Sequence, residues 1–80
     1  MVRKKVIMHF PRELLREPII YTLGQQFNVT TNIHLAEVTE DVGWLKLELE
    51  GEPKQIEDGI AWVLSRGIRV EILAEEEEGQ

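Results

Sequence analysis

Residues 28–51, NVTTNIHLAEVTEDVGWLKLELEG, decide how this chain folds, because they have the pattern of a long β-hairpin. In the second half, leucines alternate with charged residues from Leu45 to Glu50, so one face of that strand is apolar and the other is solvated. The turn falls between Thr39 and Gly43. In the first half we expect Val29, Thr31, Ile33 and Leu35 on one face, and Thr30, Asn32, His34 and Ala36 on the other. The stretch therefore predicts an antiparallel hairpin at the centre of one sheet.

The segments on either side alternate between strand and helix patterns. Residues 3–10 read as a strand that Pro11 ends, and the loop over residues 11–17 has room for a short turn of helix. A helix begins near Pro18 and stops at Asn28, and a second begins at Pro53 and stops at Gly67. Ile56, Ile60, Val63 and Leu64 would form the buried stripe of the second helix. Residues 68–73 then read as the last strand.

This order predicts an α+β fold of the ferredoxin-like βαββαβ type, a two-layer sandwich with both helices on one face of a four-stranded antiparallel sheet. Right-handed crossovers fix the strand order as 4-1-3-2. One face of such a sheet is left without helices, and we expect Asn32, Trp44 and Glu48 among the residues on it. An exposed tryptophan there indicates a partner surface; the alternative is that Trp44 covers the end of the hairpin.

Length, charge and composition limit the number of domains and the classes of protein to which this chain can belong. Eighty residues allow one domain, for which we predict residues 1–73, followed by a disordered acidic tail over residues 74–80. A domain this small buries only about 60–65% of its unfolded surface, so an oligomer would be more stable. The formal net charge of −6 argues against nucleic-acid binding. No long apolar run follows Met1, so we expect no signal peptide, no membrane span and a cytoplasmic location.

The sequence offers no catalytic or metal-binding constellation. There is no cysteine, and His9 and His34 have no clustered ligands beside them. No pair of carboxylates can be assigned to general acid–base catalysis, and the glycines do not form a phosphate-binding loop. We therefore expect a protein that is not an enzyme, with no cofactor and no metal.

The polar face of the first hairpin strand is the best candidate for a binding site. The Asn32 side chain can both donate and accept, so it could hold the amino or carboxylate group of a small zwitterion. The loop between Phe10 and Ile20 ends at a helix N-terminus, where backbone N–H groups favour a carboxylate. The alternative, that Asn32 is an ordinary surface residue of a strand, stays open.

The chain also resembles the NIL domain, an ACT-like family named after an Asn-Ile-Leu tripeptide. Thr31-Asn32-Ile33, GWLKLELEG at residues 43–51 and IAWVL at residues 60–64 carry a resemblance that spans about residues 3–73. His34 stands at the third position of the tripeptide. Members of the family at the C-terminus of the ATPase subunit of methionine-uptake ABC transporters pair as dimers and bind methionine, which inhibits uptake. Other members precede an iron–sulfur ferredoxin domain, and because this chain has neither nucleotide-binding motifs nor cysteines we expect a free-standing NIL domain.

The resemblance implies a non-catalytic regulatory domain that binds methionine or a relative at the interface of a homodimer. The ligand-binding residues it implies are Asn32, Ile33, His34, Phe10, Pro18 and Ile19, with the loop over residues 10–19 supplied by a second subunit. Thr30 and Trp44 are the expected interface residues. The alternative is a ligand-free adaptor that docks a transporter or ferredoxin partner through the open sheet face.

Overall fold

The chain forms one four-stranded antiparallel sheet with two helices on one of its faces, in a computed structural model that describes residues 1–77. The strands lie in the order β2-β3-β1-β4, which confirms the predicted order and the predicted fold class. The elements are β1 (Val2–Pro11), a 3₁₀ turn (Arg12–Leu14), α1 (Ile19–Phe27), β2 (Thr30–Val38), β3 (Val42–Gly51), α2 (Pro53–Ser65) and β4 (Arg69–Glu77).

The core lies between the sheet and the two helices. Each strand of the central pair, β1 and β3, contributes alternate apolar residues to it, as the period-2 patterns predict. Leu64 is an exception to the prediction for α2, because it is 51% exposed while Ile56 and Val63 are buried. The buried apolar residues are Val2, Val6, Met8, Phe10, Ile19, Leu23, Val29, Leu47, Leu49, Ile56, Val63 and Ile68.

Both helices end at residues with left-handed backbone conformations, as predicted. Asn28 follows α1 with φ 55° and ψ 44°, and Gly67 follows α2 with φ 93°. Asparagine and glycine are the residues that adopt this conformation most readily, so they stop each helix and turn the chain toward the next strand.

The register of β2 against β3 shifts between Ile33 and Leu35, where a β-bulge inserts one residue. Ile33 lies opposite Leu47, whereas Leu35 lies opposite Lys46. Opposite residues on neighbouring strands point to the same side of the sheet. Leu35 therefore lies on the face without helices, called the open face below. The prediction that Leu35 shares the apolar face with Ile33 is wrong, because the bulge reverses the alternation.

β4 continues to Glu77, through residues that the sequence assigns to a disordered tail. Residues 74–77 pair with residues 2–5 of β1, and Lys4 Nζ lies 3.1 Å from Glu75 Oε1. The acidic run therefore lies opposite the basic start of β1, and opposite charges on neighbouring strands favour this pairing. Residues 78–80 of the predicted tail lie outside the described residues.

Neither helix of the described chain is long or apolar enough to cross a membrane.

Candidate functional site

An apolar recess of about 210 Å³ lies where the start of α1 meets the end of the β2–β3 hairpin. Glu17 is the one charged residue among its described lining, and its carboxylate accepts a hydrogen bond from the Arg66 guanidinium. The recess can therefore accommodate an apolar side chain but offers little to a charged group. Its lining consists of Phe10, Leu14, Leu15, Glu17, Pro18, Ile19, Ile20, Tyr21, Val38, Gly43, Trp44 and Leu45.

The 3₁₀ turn after β1 shapes this recess by placing Leu15 against Gly43. A methyl group added at Gly43 would lie only 2.6 Å from Leu15 Cδ2, so the Leu15 side chain would have to shift to accommodate a larger residue. At the start of α1, the Ile19 N–H donates a hydrogen bond to the Glu17 carbonyl oxygen at 2.8 Å, so this N–H group is already satisfied within the chain.

A second recess, called the polar recess below, lies on the open face near the start of β2. Its volume is about 330 Å³, and Asn32 and Glu48 are opposite each other across β2 and β3 at its centre. Ion pairs hold the surrounding side chains: Arg3 Nε lies 3.9 Å from Glu48 Oε1, and Arg3 Nη2 lies 3.7 Å from Glu50 Oε2. The polar recess is lined by Arg3, Thr30, Thr31, Asn32, Glu48 and Glu50. The polar recess therefore contains positively charged and negatively charged side chains together with a side-chain amide.

The predicted site residues divide between these two recesses. Phe10, Pro18, Ile19 and Trp44 line the apolar recess, and Asn32 and Thr30 line the polar recess.

Ile33 and His34 line neither recess. Ile33 is 50% exposed on the edge strand β2, and His34 Nε2 lies 3.8 Å from Glu48 Oε1 at the side of the polar recess. One chain alone therefore does not assemble the predicted site.

The sequence placed Glu48 on the open face with Asn32, but it did not bring Arg3 and Glu50 to the same place. Arg3 and Glu50 are opposite each other on β1 and β3, and Lys5 and Glu48 form the next such pair. The alternation of each strand places these residues on the solvated face, but the register that brings them together is a property of the folded sheet.

Other electrostatic features lie away from both recesses. A hydrogen bond from Lys54 to Asp58 on the exposed side of α2 raises the pKa of Lys54.

Among residues 1–77, no group of three or more His, Cys, Asp or Glu side chains is arranged to hold a metal ion.

The fold and the two recesses define a ferredoxin-like α+β domain of the βαββαβ type with one solvent-facing sheet surface. Residues 4–72 match the family model of the NIL domain. The chain belongs to the NIL domain family, which confirms the resemblance seen in its sequence.

The fold is similar to that of several solved structures, of which two illustrate the likeness. The crystal structure of the C-terminal domain of an ABC transporter / ATP-binding protein from Enterococcus faecalis superposes with a TM-score of 0.76 and 24% sequence identity, over 89% of this chain and 83% of that chain. The de novo designed protein Foldit4 superposes with a TM-score of 0.61 and 11% identity, over 98% of each chain. No curated protein matches the sequence of this chain.

Proposed function

We propose that this NIL domain is a non-catalytic regulatory domain that binds a small amino-acid-like ligand, methionine or a relative, at the interface of a homodimer. Membership of the family and the likeness to a transporter ATPase domain support a regulatory kind of domain. The observation that carries the proposal is the separation of the expected ligand-binding residues into two recesses of one chain.

A second copy of the chain would bring residues from the two groups closer to each other. Asn32 in the polar recess and Val38 in the apolar recess are six residues apart on β2, which is about 20 Å along an extended strand. If two copies associate along β2 in antiparallel directions, the Asn32 end of one strand lies beside the Val38 end of the other. A ligand on the open face of this interface would then lie between Asn32 of one subunit and the hairpin end of the partner.

The side chains at the two edges of the sheet favour association of two copies along β2 and not along β4. Residues 30–36 at this edge contain no aspartate, glutamate, lysine or arginine, and Ile33 and Leu35 are 50% and 56% exposed. The opposite edge, β4, also exposes Ile72 and Leu73, but it carries Arg69, Glu71, Glu75 and Glu76 beside them. Charged side chains at an edge discourage pairing with another strand, whereas an exposed edge with apolar side chains favours it.

A thermal-shift screen against the amino acids, combined with the mass of the protein in solution, tests the proposal. A ligand at 100 times its Kd stabilises the folded state by about 2.7 kcal/mol, which for a domain of this size raises Tm by about 10–20 °C. Asn32→Ala should reduce that rise, whereas Gln25→Ala, which removes an exposed amide from α1, should leave it unchanged. A well-folded protein whose Tm responds to no amino acid would overturn the assignment of a ligand.

A protein-interaction adaptor is the second candidate, and exposed apolar side chains favour it. Tyr21, Val38 and Val42 are 69%, 66% and 52% exposed near the end of the hairpin, and the first two also line the apolar recess. The open sheet face, where Lys46, Glu48 and their neighbours lie, is the less apolar of the two surfaces. A flat response to all amino acids, together with binding to a purified transporter ATPase or ferredoxin, would favour this candidate.

A further inference from the structure

A third recess, called the tryptophan recess below, lies on the open face at the end of the sheet where β1 ends and β3 begins. Its volume is about 270 Å³, and it shares no residue with the polar recess. Trp44, His9 and Arg69 line it and are opposite one another on β3, β1 and β4. Because opposite residues point to the same side of a sheet, these three side chains form one row across three strands.

Arg69 gives the tryptophan recess a positive charge that is not used within the described chain. Its side chain is exposed, and it makes no hydrogen bond or ion pair with any other of residues 1–77. Its neighbour in the row, His9, contacts Glu71 instead, with 3.3 Å between His9 Nε2 and Glu71 Oε2. A guanidinium is always charged at ordinary pH, so a recess that contains an unpaired one attracts anions.

Trp44 supplies a planar apolar surface beside this charge. Its side chain is partly buried, and Val42, two residues earlier on the same strand, is 52% exposed on the same side of the recess. An aromatic ring packs favourably against an indole, either offset or edge to face. The recess therefore combines a surface for a ring with a donor for an anion.

The backbone around the tryptophan recess does not suit a phosphate or sulfate group. Pro11 has no N–H group to donate. The Gly67 N–H donates to the Leu64 carbonyl oxygen at 3.0 Å. The Val42 N–H donates to Thr39 Oγ1 at 3.2 Å. Phosphate sites in proteins use several free backbone N–H groups, whereas a single guanidinium can hold a carboxylate through two hydrogen bonds.

We propose that the tryptophan recess binds a small aromatic carboxylate, whose ring packs against Trp44 and whose carboxylate accepts hydrogen bonds from Arg69. This site is separate from the polar recess and does not rest on the proposed function. A neutral aromatic compound lacks the charge that attracts the guanidinium, and an aromatic amine brings a second positive charge beside it. The inferred site therefore prefers a ring that carries one negative charge.

Titration of the full chain with phenylacetate, followed through the two tryptophan indole N–H signals in ¹H–¹⁵N NMR spectra, tests this inference. Trp62 packs against Phe27 in the helix layer, with 5.8 Å between the ring centroids, so its signal is an internal control. Trp62→Phe assigns the two signals. The same titration is made with phenylacetamide, which lacks the charge, and with acetate, which lacks the ring.

Three variants distinguish the contributions of the charges. Arg69→Gln removes the positive charge from the recess, and Arg16→Gln is the matched control, because Arg16 is also exposed but lines none of the three recesses. Glu71→Gln removes a negative charge that would repel the ligand. Trp44 also borders the apolar recess, which Arg69 does not line, so Arg69→Gln tells binding in the two recesses apart.

We expect phenylacetate to shift the Trp44 signal saturably, with a Kd on the order of 1 mM, and to leave the Trp62 signal in place. Arg69→Gln should weaken this binding by about threefold to tenfold, Arg16→Gln should not change it, and Glu71→Gln should strengthen it by about twofold. Phenylacetamide and acetate should bind more weakly than phenylacetate by about threefold or more. A Trp44 signal that does not move, equal binding of phenylacetamide, or equal effects of Arg69→Gln and Arg16→Gln would overturn the inference.

Discussion

Replacement of Gly59 by alanine tests how closely the two helices pack. Gly59 lies in α2 where this helix contacts α1, and a methyl group added there would lie 2.7 Å from Leu23 Cδ1 and 3.6 Å from Phe27 Cβ. Leu23 is completely buried, and the close packing of protein cores resists movement of its side chain. Overpacking of this kind costs about 2–3 kcal/mol, and the better helix propensity of alanine returns about 1 kcal/mol.

We therefore expect Gly59→Ala to lower the free energy of unfolding by about 1–2 kcal/mol, which lowers Tm by about 5–15 °C. Urea unfolding followed by circular dichroism measures the change. Leu23→Val removes the atom that the new methyl group would meet, so in that background Gly59→Ala should become stabilising. A rise in Tm for Gly59→Ala alone, or the same change in both backgrounds, would refute the close approach of the helices at this point.

Three further substitutions have expected effects that follow from local geometry. Asn28→Ala should lower the free energy of unfolding by about 1 kcal/mol in urea titrations, because alanine disfavours the positive φ that Asn28→Gly would accommodate without loss. Glu75→Gln should cost less than about 1 kcal/mol, because the Lys4–Glu75 pair is partly exposed, and the difference from the unmodified protein should shrink in high salt. Leu47→Ala should cost about 2–5 kcal/mol because Leu47 is fully buried on a central strand, whereas Val42→Ala at a 52% exposed position should stay within about 0.5 kcal/mol in the same assay.

Much of the fold could be predicted because local signals and apolar periodicity agree. Asn28 and Gly67 mark helix ends through a backbone conformation that few other residues adopt, and Pro53 marks a helix start through its fixed φ. Given the two helices and four strands, the handedness of the crossovers leaves few arrangements of the sheet. The observed order of strands follows from these constraints.

The parts that could not be predicted depend on how strands pair. Nothing in the alternation of β2 signals the bulge between Ile33 and Leu35, because an inserted residue is defined by the partner strand. The extension of β4 beyond Leu73 depends on the basic residues of β1, which are distant in sequence.

The candidate site shows the same division between local and long-range information. The residue type alone predicts Asn32 as a ligand-binding residue, because its amide can both donate and accept hydrogen bonds. The structure places Asn32 in the polar recess. The proximity of Arg3 and Glu48 to it arises only from the register of three strands.

The central position of β1 also sets the order in which the domain can fold. β1 is made before the other elements of this domain, yet its neighbours in the sheet are β3 and β4, so neither of its edges can pair within the domain until those strands have been synthesised. At about 5–20 residues per second, the 18 residues from Gly51 to Arg69 take about 1–4 s to add. During that interval, the edge of β1 that later receives β4 is open to other strands, which is when a chaperone would be most useful to this protein.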